Sequence, residues 1–169
     1  MQILLIATVA SVALVSLPLP AHADPVLVRS VLDGDTIDVA GVGRVRLLGI
    51  DAPELAHGHG TAAPFAFEAR ERLAELVLHR WVRLEADAER VDGYNRRLAY
   101  VVREDGLFVN AALLRDGLAR VTARQQLARL PELRRAEAEA RASRRGMWGQ
   151  APPAHRPSYT RRRKFTLRA

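Results

Sequence analysis

Short stretches in which apolar and polar residues alternate dominate the first half of this chain. Val26 to Val31 and Thr36 to Val39 read as two β-strands, and the turn signal Gly41-Val42-Gly43 leads into a third over Arg44 to Ile50. Asp51 to Ala63 reads as a loop. The period then changes: Phe67, Arg70, Leu73, Ala74 and Val77 recur at helical spacing, with Pro64 suited to the first turn. Trp81 to Ala86 alternates as a strand, Asp92-Gly93 and Asn95 mark a turn, and Leu98 to Val102 forms the next strand. Asp105-Gly106 turns the chain again, and Asn110 is placed to cap a short helix, Ala111 to Asp116, which Gly117 ends. Pro131 to Arg145 reads as a longer helix, apolar on its Leu130, Leu133, Ala136, Ala140 face and basic along Arg134, Arg135, Arg141 and Arg144. Trp148, just beyond it, is expected to pack onto the core. Three strands, a helix, two strands and two helices fit a five-stranded barrel with helices outside, because strands this short rarely bury themselves as an open sheet.

Both ends fall outside that pattern. Ile3 to Leu19 is an apolar run, followed by Pro20 and the small-residue pattern Ala21-His22-Ala23. It reads as a signal peptide over residues 1–23, cleaved after Ala23 so that the mature chain starts at Asp24. An uncleaved membrane anchor is the competing reading, since the run nears spanning length. The run is broken by Pro18 and Pro20 just before the cleavage site, which favours the signal peptide. At the other end, residues 150–169 contain Pro152-Pro153 and no helical period, and read as a basic, disordered tail. A domain over 24–149 remains between them.

Charge changes the picture only at the tail. The chain has 169 residues and a net charge of +7. The tail holds Arg156, Arg161, Arg162, Arg163, Lys164 and Arg168 with no acid, so the body is nearly neutral. Anion recognition by the body must come from local clusters, and the tail reads either as a solvated extension or as an electrostatic arm adding nonspecific polyanion contact. The absence of cysteine rules out disulfides, thiolate metal sites and a thiol nucleophile.

Two segments concentrate charge where a strand-rich fold should prefer apolar residues. One is Asp33-Gly34-Asp35-Thr36 with Arg46 through Glu54; the other runs from Asp92 to Tyr100. Asp35 and Asp51 lie at opposite edges of adjacent strand runs and can converge. Two hard carboxylates plus a backbone carbonyl make half of an oxygen shell for Ca²⁺, whereas zinc would need cysteine or paired histidines. An arginine, a metal and a carboxylate on one small surface match the needs of phosphodiester hydrolysis: charge neutralisation, a forked donor to phosphate oxygens, and a base for water. The plainer alternative makes Asp33-Gly34 a hairpin turn and Arg46 with Glu54 a surface ion pair. His57-Gly58-His59 invites a metal reading, but incidental histidines in a loop explain it as well.

Taken together these segments resemble the thermonuclease family, the Ca²⁺-dependent nucleases like that of staphylococci. The likeness runs from Val26 to Trp148 and rests on DGDT at 33–36, RLLGIDAPE at 46–54, YNRRLAY at 94–100, DGLFVNAALLRDGLARV at 105–121 and the late Trp148. It implies an α+β fold with a mainly β core, a five-stranded OB-fold barrel carrying three helices. It implies Asp35 and Asp51 as Ca²⁺ ligands through carboxylates, Ala52 through its carbonyl, and Asp33 in the outer shell through water. Arg46 and Arg96 become the phosphate-binding arginines, Glu54 the general base, and Tyr94 a hydrogen-bond donor to a substrate phosphate. The implied activity is hydrolysis of DNA and RNA to products with 3′-phosphate ends, by a secreted or periplasmic monomer with no membrane contact after cleavage.

Some positions depart from the family pattern. Asn95 and Arg97 replace glycines beside the second arginine, Gly93 replaces a lysine, and Ala123 replaces a tyrosine that stacks on the substrate base. These changes bear on base preference and affinity. The competing function is a non-catalytic OB-type nucleic-acid-binding module. Retention of Asp35, Arg46, Asp51, Glu54 and Arg96 favours the enzyme.

Overall fold

A computed structural model describes residues 24–56, 61–87, 91–94, 96–122 and 127–149. The leader, the tail, the His57–His59 segment, Asn95 and Ala123 lie outside the described residues. Among the described residues there are seven strands: β1 (Val26–Val31), β2 (Thr36–Val39), β3 (Gly43–Leu47), β4 (Ile50–Asp51), β5 (Trp81–Glu85), β6 (Arg97–Arg103) and β7 (Arg120–Val121). Helices α1 (Ala66–Val77), α2 (Val109–Arg115) and α3 (Leu130–Ala142) follow α+β order, and a 3₁₀ turn spans Gly146–Trp148.

Five strands close into a barrel in the order β1-β2-β3-β6-β5. All neighbours are antiparallel except β3 and β6, which run parallel with Val45 opposite Arg97 and Arg46 opposite Leu98. A parallel pair needs a long crossover, and here α1 and β5 supply it. Inward positions alternate along the strands, so Val28, Ile37, Val39, Val45, Leu47 and Val82 fill the interior. Leu73 and Val77 of α1, Leu113 and Leu114 of α2 and Leu133 of α3 extend that core outward. The expected five-stranded OB-like barrel with three outer helices is the observed architecture.

Several local expectations change. The strand read from Arg44 to Ile50 stops at Leu47, because Gly49 turns the chain with a φ of +78°. That turn leaves β4 free to pair with β7 in a separate two-stranded sheet, Asp51 opposite Arg120. A side chain at Gly49 would be strained in this conformation and would also meet methyls of Leu127 and Leu133 at 2.8 Å. Helix α1 starts at Ala66, after a left-handed Phe65, so Pro64 precedes it. The long helix spans Leu130–Ala142, which puts Pro131 inside its first turn.

Asn110 does not cap a helix. Helix α2 begins at Val109, and the fully buried Asn110 amide bridges two other elements. Its Oδ1 accepts from the Val101 N–H at 3.0 Å and its Nδ2 donates to the Leu48 carbonyl at 2.9 Å. Trp148 is half-buried against α3, with the Arg141 guanidinium 3.9 Å from its ring centre.

Candidate active site

The β1–β2 turn brings Asp33, Gly34 and Asp35 against the segment that follows β4. Gly34 is needed for this approach: a Cβ there would lie 2.6 Å from that of Ala52 and 2.7 Å from that of Ala69. Asp33 Oδ1 accepts from the Asp35 N–H at 3.0 Å and closes the turn. The DGD segment is thus a hairpin turn, and the same turn presses a carboxylate into the protein.

Asp35 is only 2% exposed. Its Oδ2 accepts from the Ala52 N–H at 3.0 Å, while its Oδ1 accepts from the Thr36 hydroxyl at 3.1 Å and from Arg46 Nη1 at 2.7 Å. Burial pushes the carboxyl up to about 7, against the pull of the Arg46 guanidinium and the Ala52 N–H. The second fork of the same guanidinium, Nη2, donates to Asp51 Oδ1 at 2.8 Å. Arg46 faces Thr36 across the β2–β3 ladder, so strand register fixes the start of its side chain. One guanidinium therefore ties together the two carboxylates predicted to converge.

Glu54 is exposed and its carboxylate has no hydrogen-bond or ion-pair partner among the described residues. The pairing of Arg46 with Glu54 considered from the sequence does not occur; the partners of Arg46 are Asp35 and Asp51. A base that must take a proton from water benefits from an uncompensated carboxylate.

The loop before β6 supplies the second arginine. Asp92 organises it: Oδ1 accepts from the N–H groups of Tyr94 and Arg96, both at 2.9 Å, and Oδ2 accepts from Arg96 Nε at 2.7 Å. Burial works against ionisation of this carboxyl, but the Arg96 N–H, its guanidinium and the Tyr94 N–H outweigh it and hold the group below the usual carboxylate range. Tyr94 is 85% exposed, with the Arg96 guanidinium 5.3 Å from its ring centre. Sequence reasoning took Asp92 only as a turn residue and missed this positioning role. The signal was available, since an aspartate two and four residues before backbone donors is an Asx-type arrangement.

Arg46, Asp51, Tyr94 and Arg96 line one cavity of about 530 Å³, together with Asp92 and Thr122. Glu54 and Ala52 line a neighbouring cavity, and Asp51 borders both. Asp35 lies behind them as a buried anchor. No group of three or more His, Cys, Asp or Glu side chains able to hold a metal occurs among the described residues. The donor set nevertheless fits a hard divalent cation. Asp35 and Asp51 offer hard carboxylate oxygens held by one guanidinium, and backbone carbonyl, water and phosphate oxygens can complete such a shell.

Comparison with known proteins agrees with this geometry. The staphylococcal nuclease homologue family matches residues 44–150. The thermonuclease of Staphylococcus intermedius is 41% identical over 97 residues, covering 56% of this chain and 57% of that protein. Two proteins of Bacillus subtilis (strain 168) are also similar. The SPbeta prophage-derived endonuclease YokF is 37% identical over 133 residues, 75% of this chain and 44% of its own length. Endonuclease YncB is 36% identical over 126 residues, 71% of this chain and 59% of its own. The chain spans about half the length of the curated relatives it matches. The family match takes in β3 from Arg44 onward, β6 and both arginine-bearing segments, and begins after Asp33 and Asp35; the barrel closes as the resemblance implied. By sequence and by fold, this chain belongs to the staphylococcal nuclease homologue family.

Proposed function

We propose that this chain hydrolyses phosphodiester bonds of DNA and RNA in a Ca²⁺-dependent reaction, leaving 3′-phosphate ends. The observation that carries the reading is the Arg46 fork between Asp35 and Asp51, facing a cavity that also holds Arg96 and Tyr94. Asp35, Asp51 and the Ala52 carbonyl would hold the cation, with Asp33 behind them. When bound, a Ca²⁺ ion supplies charge neutralisation and orientation of the phosphate.

The chain's own groups do the rest. Glu54 accepts the proton of the attacking water. The Arg46 and Arg96 forks donate to the phosphate oxygens as negative charge develops on them, and planar guanidinium donors suit that geometry. Tyr94 holds a flanking phosphate through its hydroxyl. As the new bond to phosphorus forms, the bond to the 5′-oxygen breaks, leaving the phosphate on the 3′ side. Export of the chain belongs to the same reading. It is supported by the apolar leader and its small-residue site, and N-terminal sequencing of exported protein is expected to begin at Asp24.

Digestion of end-labelled single-stranded DNA, double-stranded DNA and RNA tests the proposal. With Ca²⁺ all should be cut to 3′-phosphate products, and EDTA should abolish cutting. Mg²⁺ keeps its waters and demands octahedral geometry, so it should support less turnover. Undiminished cleavage in EDTA would remove the metal from the reading.

A further inference from the structure

Asp51 borders two clefts, and in the one that lacks Tyr94 the chemistry above uses only Asp51, Ala52 and Glu54. That cleft has a volume of about 520 Å³ and lies between the 51–54 segment, residues 63–65 and the turn at Met147 and Gly149. Pro53, Phe65 and Met147 give it an apolar wall, and Arg120 is the one cation among the described residues that line it. Arg120 is anchored through its backbone opposite Asp51 in the β4–β7 pair. It is exposed, and its guanidinium has no hydrogen-bond or ion-pair partner among the described residues. Arg46 is engaged by Asp35 and Asp51 and Arg96 by Asp92, whereas Arg120 has no such partner among the described residues.

We propose that this cleft is a nucleotide subsite, occupied by the nucleotide on the far side of the scissile phosphodiester from Tyr94. The inference rests on the phosphodiesterase reading. A polynucleotide cut within its length must leave the reacting phosphate in two directions, and a second cleft, which Asp51 also lines and Tyr94 does not, gives it the other. Arg120 then takes the next phosphate along the strand through a charge-assisted fork. The apolar wall covers the sugar or base of that nucleotide. Its two carboxylates, Asp51 and Glu54, lie toward the reacting centre and disfavour a phosphate anywhere in the cleft except beside Arg120.

Steady-state kinetics of the full chain with Ca²⁺ tests this. The substrates are a thymidine p-nitrophenyl phosphodiester, which lacks a nucleotide on one side, and oligonucleotides lengthened singly toward the 5′ or the 3′ end. For oligonucleotides extended in one of the two directions, Arg120→Ala should raise KM about five- to tenfold with kcat within about twofold, and should lower the salt dependence by about one phosphate contact. Arg120→Lys should recover part of that KM, because it keeps the charge. The aryl ester should be indifferent to both changes, and Arg134→Ala, an exposed charge on α3, should leave every substrate unchanged. If Arg120→Ala leaves KM unaltered for all extended substrates, or slows the aryl ester as much as the oligonucleotides, the subsite is wrong. If the wild-type chain cleaves no substrate at all, the phosphodiesterase reading fails instead, and the subsite with it.

Discussion

Arg46 shows how much one residue's surroundings decide. Its two donor prongs are each within 2.8 Å of a different carboxylate, and its side chain is only 16% exposed. Lysine carries the same charge as a point and cannot span both partners. Arg46→Lys is therefore expected to lower kcat by about 10²-fold, the scale seen when a preorganised donor to a developing negative charge is lost, in steady-state assays on single-stranded DNA. Retention of near-wild-type turnover would mean that the fork is structural alone. The types and order of Asp35, Arg46 and Asp51 were legible in the sequence, and so was their convergence. The shared guanidinium was not, because it depends on Thr36 lying opposite Arg46 across β2 and β3, and spacing along the chain carries no register.

Among the elements, the five barrel strands and three helices were read in order from hydrophobic period, β4 and β7 were missed as a separate pair, and two connections were misread for a common reason. Gly49 sat in a run that looked like continuous strand, and Asn110 sat where a helix cap is usual. Both are settled by tertiary contact. Gly49 turns the chain so that β4 can reach β7, and Asn110 ties β6 to the same turn by holding the Leu48 carbonyl. Removing that amide leaves a buried N–H and a buried C=O without partners at once. Asn110→Ala is accordingly expected to destabilise the fold by about 2–5 kcal/mol, read from urea denaturation midpoints at unchanged m-value. Asn110→Asp should also destabilise, since a carboxylate cannot donate to Leu48. A loss below about 0.5 kcal/mol would show that water replaces the amide.

For the whole molecule, charge and domain limits set the expectation. The body's basic and acidic residues nearly balance, whereas residues 150–169 hold six basic residues and no acid. Deleting 152–169 should leave kcat within about twofold and raise KM on long DNA several-fold at low salt, a difference that fades toward ~0.2 M salt as counterions compete. On a dinucleotide, both constants should be unchanged. A truncated chain that fails to fold, by circular dichroism, would make the tail part of the domain. Hydrophobic period made the barrel legible. The paired clefts were not, because Arg120 and Phe65 are ordinary surface residues until β7 and the C-terminal turn meet beside Asp51.

The single parallel contact in the barrel has a consequence for the order of assembly. β3 and β6 lie about fifty residues apart in the chain, so their pairing carries a large loop-closure cost that must be met before it is rewarded. Arg46 sits on β3 and Arg96 immediately before β6, one on each side of that seam. The two arginines therefore share a cavity only once the barrel has shut. A nascent or partly opened chain presents each arginine alone, so under the proposed function the ability to cut nucleic acid arrives with closure instead of growing in along the way.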